Sequence, residues 1–297
     1  VLSSGGARGA AHVGVLRALE NGGFSIDVIA GTSVGAGVGG LYAAGVSVER
    51  IEKLWLGTDL KRVIREYFPT LPRSGWSRGD ELIRSLSDLV GESRIEDLKI
   101  PFAAVATDIN TGEEIILREG PLVEAIRAST SIPALFTPVC WKGRYLVDGG
   151  LVNPVPVSLA RLLGAEVVIA VDVAAQPLEG FTEEPSMASR FLQFPFDNKV
   201  TQFFKSRLRD AAEETVRTNA KTKNQSAPSL ISIVMQSSSI LQRQLISHRM
   251  ERERPDLLIT PKFAQVPRYW RAVEAIQAGE DAMQTMLPAL KTLVASR

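Results

Sequence analysis

Ile26-Asp27-Val28-Ile29-Ala30-Gly31-Thr32-Ser33-Val34-Gly35-Ala36-Gly37-Val38-Gly39-Gly40-Leu41-Tyr42-Ala43-Ala44-Gly45 decides how the chain folds. Residues 26–30 are apolar with a β-branched bias and read as a short buried strand. Residues 36–44 read as a closely packed helix stopped by Gly45. Between them, Gly31-Thr32-Ser33-Val34-Gly35 sets a serine between two glycines at a strand-to-helix turn, the form of a nucleophile elbow. So tight a turn holds Ser33 in a strained conformation with its hydroxyl outward, while the next helix offers free N–H groups and a positive dipole end to developing negative charge. The plainer alternative is a Gly-rich turn that only packs a helix on a sheet, and a lone G-x-S-x-G does not exclude it.

Upstream, Val1-Leu2-Ser3 reads as the tail of a strand, so more chain is expected ahead of it. Ser3-Ser4-Gly5-Gly6-Ala7-Arg8-Gly9 follows as a Gly-rich turn, then a helix over 10–21 stopped by Asn21-Gly22-Gly23. Two strand–loop–helix units in succession argue for an α/β fold: a mostly parallel central sheet with helices on both faces. The amides around Gly5, Gly6 and Ala7 form an anion-binding nest. That nest suits either a nucleotide phosphate or the oxyanion of an acyl intermediate. The dinucleotide fingerprint G-x-G-x-x-G is broken, because Ser4 stands where its first glycine belongs.

Downstream, 48–56 and 80–90 show apolar residues at helical spacing. Between them, 67–76 is irregular, apolar and bulky, bordering a substrate mouth or packing on the core. Pro101–Asp108 reads as a buried strand that turns through Asn110-Thr111-Gly112 into 113–117. A short helix over 122–128 and an apolar loop over 131–138 precede a hairpin, 139–141 with 144–147. At its end Asp148-Gly149-Gly150 presents a carboxylate at a strand terminus, suited either to a cleft or to an ordinary turn. A helix over 159–163 with Ser158 as N-cap and a buried strand over 166–173 follow. A surface loop over 174–189 and a helical, charged stretch over 190–250 come next. In that stretch Phe203, Phe204 and Leu208 beside Lys205, Arg207 and Arg209 suit a membrane-surface face or a helix with one packed side. A strand over 256–260 and a helix over 273–293 close the chain. The whole reads as one domain, 1–297, with a helical insertion at 190–250 and a last strand and closing helix at 256–295.

The chain has 297 residues, is 45% hydrophobic and carries a formal net charge of +1, so no global field points to nucleic acid. Cys140 is the one cysteine, expected as a small buried hydrophobe, so no disulfide framework or multi-cysteine metal site can form within the chain. His12 and His248 are the two histidines and leave metal chemistry poorly supplied. No run of eighteen apolar residues occurs.

Taken together and in order, Ser3-Ser4-Gly5-Gly6-Ala7-Arg8-Gly9, Gly31-Thr32-Ser33-Val34-Gly35 and Asp148-Gly149-Gly150 resemble the three signatures of the patatin-like phospholipases. Ala128-Ser129-Thr130-Ser131-Ile132-Pro133-Ala134-Leu135-Phe136 and Asn153-Pro154-Val155-Pro156 resemble the bacterial branch, related to the neuropathy target esterase catalytic domain. The resemblance spans roughly residues 1–175. It implies a serine lipid acyl hydrolase acting on phospholipid or lysophospholipid, with Ser33 as nucleophile and Asp148 as general base. The amides of Gly5, Gly6 and Ala7 would form the oxyanion hole with Arg8 beside it. It implies no cofactor and no metal, and a cytoplasmic or peripheral-membrane setting. Ser4 departs from the glycine usual there, which bears on the hole, since serine tolerates positive φ poorly. Two other readings compete: a Ser33–Asp148–His248 triad, whose chain order matches the α/β-hydrolases, and a non-enzymatic nucleotide- or anion-binding module built on the Gly-rich loop.

Overall fold

The computed structural model describes residues 1–57, 77–175, 230–264 and 272–296. The stretches 67–76, 176–189 and 190–229, with the residues 203–209 discussed above, lie outside the described residues. Two compact units result: Val1–Leu178 with Ser238–Arg297, and Glu179–Ser237. Everything that follows concerns the first.

Strand β2 (Phe102–Asp108) is buried along its whole length, as its apolar composition requires. Strand β1 (Ile29–Thr32) runs parallel to it, from Ile29 opposite Phe102 to Thr32 opposite Val105. Strand β3 (Glu114–Leu117) pairs antiparallel with residues 104–107, after a turn in which the Gly112 amide donates to the Asp108 carbonyl. Strands β4 (Val139–Trp141) and β5 (Arg144–Asp148) form the second hairpin, and β5 pairs antiparallel with β2 from Leu146 opposite Asp108 to Asp148 opposite Ala106. A strand has two edges, and β3 occupies one of them. Strands β1 and β5 therefore share the other and meet end to end, β1 stopping at the Val105 rung and β5 at the Ala106 rung.

On the far side of β1, Leu2 bridges in parallel to both Gly31 and Val171, joining β1 to β6 (Ile169–Val171), which pairs in parallel with β7 (Leu257–Ile259). The sheet is thus mixed: parallel through β2, β1, Leu2, β6 and β7, antiparallel through its two hairpins. Alternate β2 side chains face opposite layers. Phe102, Ala104 and Ala106 pack into a core with helices α1 (Ala10–Asn21), α2 (Val34–Ala43), α3 (Val48–Leu56), α4 (Asp80–Val90), α5 (Leu122–Ser129) and, from the end of the chain, α8 (Ala272–Ala295). Ala103 and Val105 pack on the other face with α6 (Val157–Leu162) and with Ile246 of α7 (Leu230–Glu253). Helices α1 and α8 touch backbone to backbone. A Cβ on Gly14 would fall 1.9 Å from the Ile276 carbonyl oxygen, and one on Gly279 would fall 1.9 Å from that of Ala11. None of these helices is long and apolar enough to cross a membrane.

Four local expectations are corrected. The first strand is Ile29–Thr32 rather than 26–30, because pairing begins where the Ile29 amide meets the Pro101 carbonyl and runs on to Thr32, whose amide meets Leu2. Strand β6 is shorter than 166–173, since its partner β7 is confined between Pro255 and Pro261, which cannot donate to a ladder. Ser158 is not an N-cap: α6 begins at Val157, and the Ser158 amide is met instead by the Glu253 carboxylate at 2.9 Å. Cys140 is exposed, because the outermost strand β4 turns its middle residue away from the core while Val139 and Trp141 pack against it.

Candidate active site

The junction where β1 and β5 meet on β2 brings Ser33 and Asp148 together. Ser33, the first residue past β1, has φ 56° and ψ −123°, a conformation costly for a residue with a Cβ. Gly35 lets the turn close, since a Cβ there would lie 2.1 Å from the Leu2 carbonyl oxygen. The Ser33 hydroxyl donates to Asp148 Oδ2 at 2.5 Å, with no other residue between them. Both side chains are nearly buried, 5% and 4% exposed.

Asp148 is held from three sides. Its amide donates to the Ser131 carbonyl at 2.9 Å. Its carbonyl accepts from Thr107 Oγ1 at 2.8 Å, and its Oδ1 accepts from the Gly150 amide at 2.7 Å. Gly149 permits the turn, because a Cβ there would lie 2.2 Å from the Val105 carbonyl oxygen. Burial pushes the Asp148 carboxyl up to about 6, against the opposing pull of the Ser33 and Gly150 hydrogen bonds. A carboxylate with that affinity is a far better proton acceptor near neutrality than a solvated aspartate.

The Gly-rich loop lies alongside. Leu2 is in parallel register with Gly31, so Ser4 falls level with Ser33, and the loop follows at the same end of the sheet. Gly5 precedes a 3-10 turn, Gly6–Gly9, in which Gly6 takes φ 58°. Among the described residues, no backbone or side-chain acceptor meets the amides of Gly5, Gly6 or Ala7. The Arg8 amide is different: it donates to the Gly5 carbonyl at 3.3 Å. Ser4 keeps a negative φ, its amide donates to the Pro154 carbonyl at 2.8 Å, and its hydroxyl reaches Gln242 of α7 at 3.4 Å. Its backbone therefore belongs to the sheet end rather than to the free amide row.

Neither histidine joins the pair. His12 Nε2 lies 2.9 Å from the Ser3 carbonyl and so donates to it, and Nδ1 has no partner among the described residues. Burial pushes this imidazole down to about 4, so it is neutral at pH 7. His248 sits exposed on α7. Ser129 and Ser131, at the end of α5, were quoted in the sequence only for their resemblance, yet one meets the Ser33 amide and the other the Asp148 amide. Their spacing in a short Ser-Thr-Ser run carries no signal of those distant partners.

A family model described as patatin-like phospholipase matches residues 1–161. The chain belongs to the patatin-like phospholipase family. All three patatin-like signatures lie within that match and converge at the end of the sheet just described. An NTE family protein of Mycobacterium bovis is 41% identical over 175 residues, covering 58% of this chain and 48% of that protein. Patatin-like phospholipase domain-containing proteins of Caenorhabditis elegans and of Rattus norvegicus are 43% and 38% identical over 182 residues, each covering 59% of this chain and 13% of the relative. The chain thus spans about half or less of the curated relatives it matches. VipD from Legionella pneumophila superposes with a TM-score of 0.48 at 14% identity, covering 97% of this chain and 66% of VipD.

Proposed function

We propose that the protein is a serine acyl hydrolase that cleaves fatty acyl esters of phospholipids or lysophospholipids through a Ser33–Asp148 dyad. The observation that carries this reading is the direct 2.5 Å hydrogen bond from the Ser33 hydroxyl to Asp148, at a strained elbow beside an open row of amides. Ionised Asp148 accepts the Ser33 proton as Oγ attacks the ester carbonyl. The resulting oxyanion is held by the amides of Gly5, Gly6 and Ala7, the kind of stabilisation whose loss typically costs roughly 10²–10³ in kcat per donor. Collapse expels the glycerol-side alcohol, which takes the proton from Asp148 and leaves an acyl ester on Ser33. Water then gives a proton to Asp148 and attacks that ester, releasing fatty acid and restoring the serine. Membership of the patatin-like phospholipase family supports a lipid ester as substrate. Access to such substrates fits peripheral association with a membrane surface.

Fluorophosphonate labelling with peptide mapping tests the dyad. Labelling at Ser33 that falls by on the order of 10²–10⁴ in Asp148→Asn, and persists in His248→Ala, is expected. Loss in His248→Ala would establish a triad instead, and nucleotide binding without labelling would leave only an anion-binding module. Release of fatty acid from phosphatidylcholine and lysophosphatidylcholine micelles then tests the substrate class.

A further inference from the structure

Ser33 and Asp148 sit on different strands, and their 2.5 Å contact needs something that holds both backbones at once. The last turn of α5 does so. Ser129, completely buried, accepts the Ser33 amide on its hydroxyl oxygen at 2.8 Å and donates its own proton to the Val105 carbonyl at 2.6 Å. The Ser33 amide is thereby tied to the β2 rung that ends β1. Two residues on, the Ser131 carbonyl accepts the Asp148 amide at 2.9 Å.

Ser131 is fixed in turn by Arg127. This guanidinium is buried and hydrogen-bonds three neutral acceptors: Ser131 Oγ at 2.5 Å, the Arg78 carbonyl at 3.0 Å and the Thr137 carbonyl at 3.0 Å. It also lies 4.8 Å above the centre of the Phe136 ring. Burying a cation is expensive unless all its donors are used. Here they are used to fasten segment 77–79 and loop 131–138 to the helix end that carries both serines.

We infer that the C-terminal turn of α5 sets the separation of Ser33 and Asp148, with Ser129 as positioning residue for the nucleophile and Arg127, through Ser131, as positioning residue for the base. The inference rests on the proposed dyad. Without the Ser129 oxygen, the Ser33 amide is buried and unpaired in a residue already at positive φ, and rotation of that peptide moves Oγ off its line to Asp148. Without the Arg127 grip, the Ser131 carbonyl and the loop behind it loosen around Asp148, and water reaches a carboxyl that is now dry.

The test uses the full chain with p-nitrophenyl butyrate, assayed well below each variant's melting midpoint. Ser33→Ala and Asp148→Asn are run alongside, so that failure of the dyad itself shows separately as activity surviving in either. Ser129→Ala is expected to lower kcat by about 10- to 100-fold with KM changed less than about threefold. Ser129→Cys, which keeps the size but accepts poorly, follows the same split and serves if the alanine variant fails to melt cooperatively. Unchanged kcat, or a rise in KM with kcat held, overturns the role of Ser129. For Arg127→Met, or for Ser131→Ala should that variant not fold, the acid limb of the pH–rate profile moves from near pH 6 toward the ordinary aspartate range. A limb that stays in place or moves upward overturns the role of Arg127, the upward shift showing that its charge rather than its grip acts on Asp148.

Discussion

Asp148 is useful and destabilising for one reason, its burial. Its carboxyl is raised from 3.8 to about 6 in the folded chain, so between those values the native state holds the extra proton. Folding is then favoured at low pH and loses stability as pH rises through that window. Above pH 6 the full penalty, on the order of 2–3 kcal/mol, is present. Asp148→Asn is therefore expected to melt higher than the parent at pH 8, with the difference vanishing by about pH 4, as differential scanning calorimetry across pH would show. The acid limb of kcat/KM in the parent should likewise centre near pH 6. His12 acts in the opposite sense. Lowered from 6.5 to about 4, it is neutral in the native state and favours unfolding as pH falls through that window, so it partly masks the Asp148 slope. Ser4→Gly should leave turnover within about threefold, because the Ser4 amide is already taken by Pro154 and its φ is negative. Ser33 and Asp148 were legible because each sits in a short motif whose glycines answer a local steric demand. Ser129 was not legible, because its partner lies 96 residues away and nothing about a lone serine at a helix end announces a distant amide.

At the scale of elements, the α1–α8 contact shows what a sequence pattern hides. Gly14 lies inside a helix that composition would call merely amphipathic, and Gly279 inside another. Neither marks a turn, and each exists because the other helix's backbone passes at contact distance. Gly279→Ala pushes a methyl group into the Ala11 carbonyl and should cost about 1–3 kcal/mol in urea unfolding, with activity at low denaturant retained. The helices at 10–21, 48–56, 80–90 and 122–128 were readable from their spacing and stop signals, to within a residue at each end. Strand limits were not, since β1 and β6 are bounded by where partners supply pairing rather than by their own apolar runs.

At the scale of the molecule, two strand–loop–helix units were enough to place an α/β sheet with helices on both faces. The antiparallel hairpin that carries Asp148 into the same edge as β1 could not be read, because sharing of one edge by two strands depends on the position of β3. The family match ends at residue 161, but the fold does not. Strand β6 supplies the partner of Leu2, and α8 covers Val13, Leu16 and their neighbours on α1. A chain ending at residue 161 is expected to bind 8-anilinonaphthalene-1-sulfonate and to lack a cooperative melt, whereas the full chain melts cooperatively and does not bind the dye.

The Gly14–Gly279 contact also has a meaning for biosynthesis. The two glycines are 265 positions apart, 279 less 14, and their helices are close enough to touch. At ribosomal speeds of about 5–20 residues per second, α1 waits roughly ten to fifty seconds for its partner to be made. Throughout that interval its apolar flank is uncovered. The chain is therefore most in need of a holding chaperone while still tethered to the ribosome, and only the last helix to emerge completes the layer over the first.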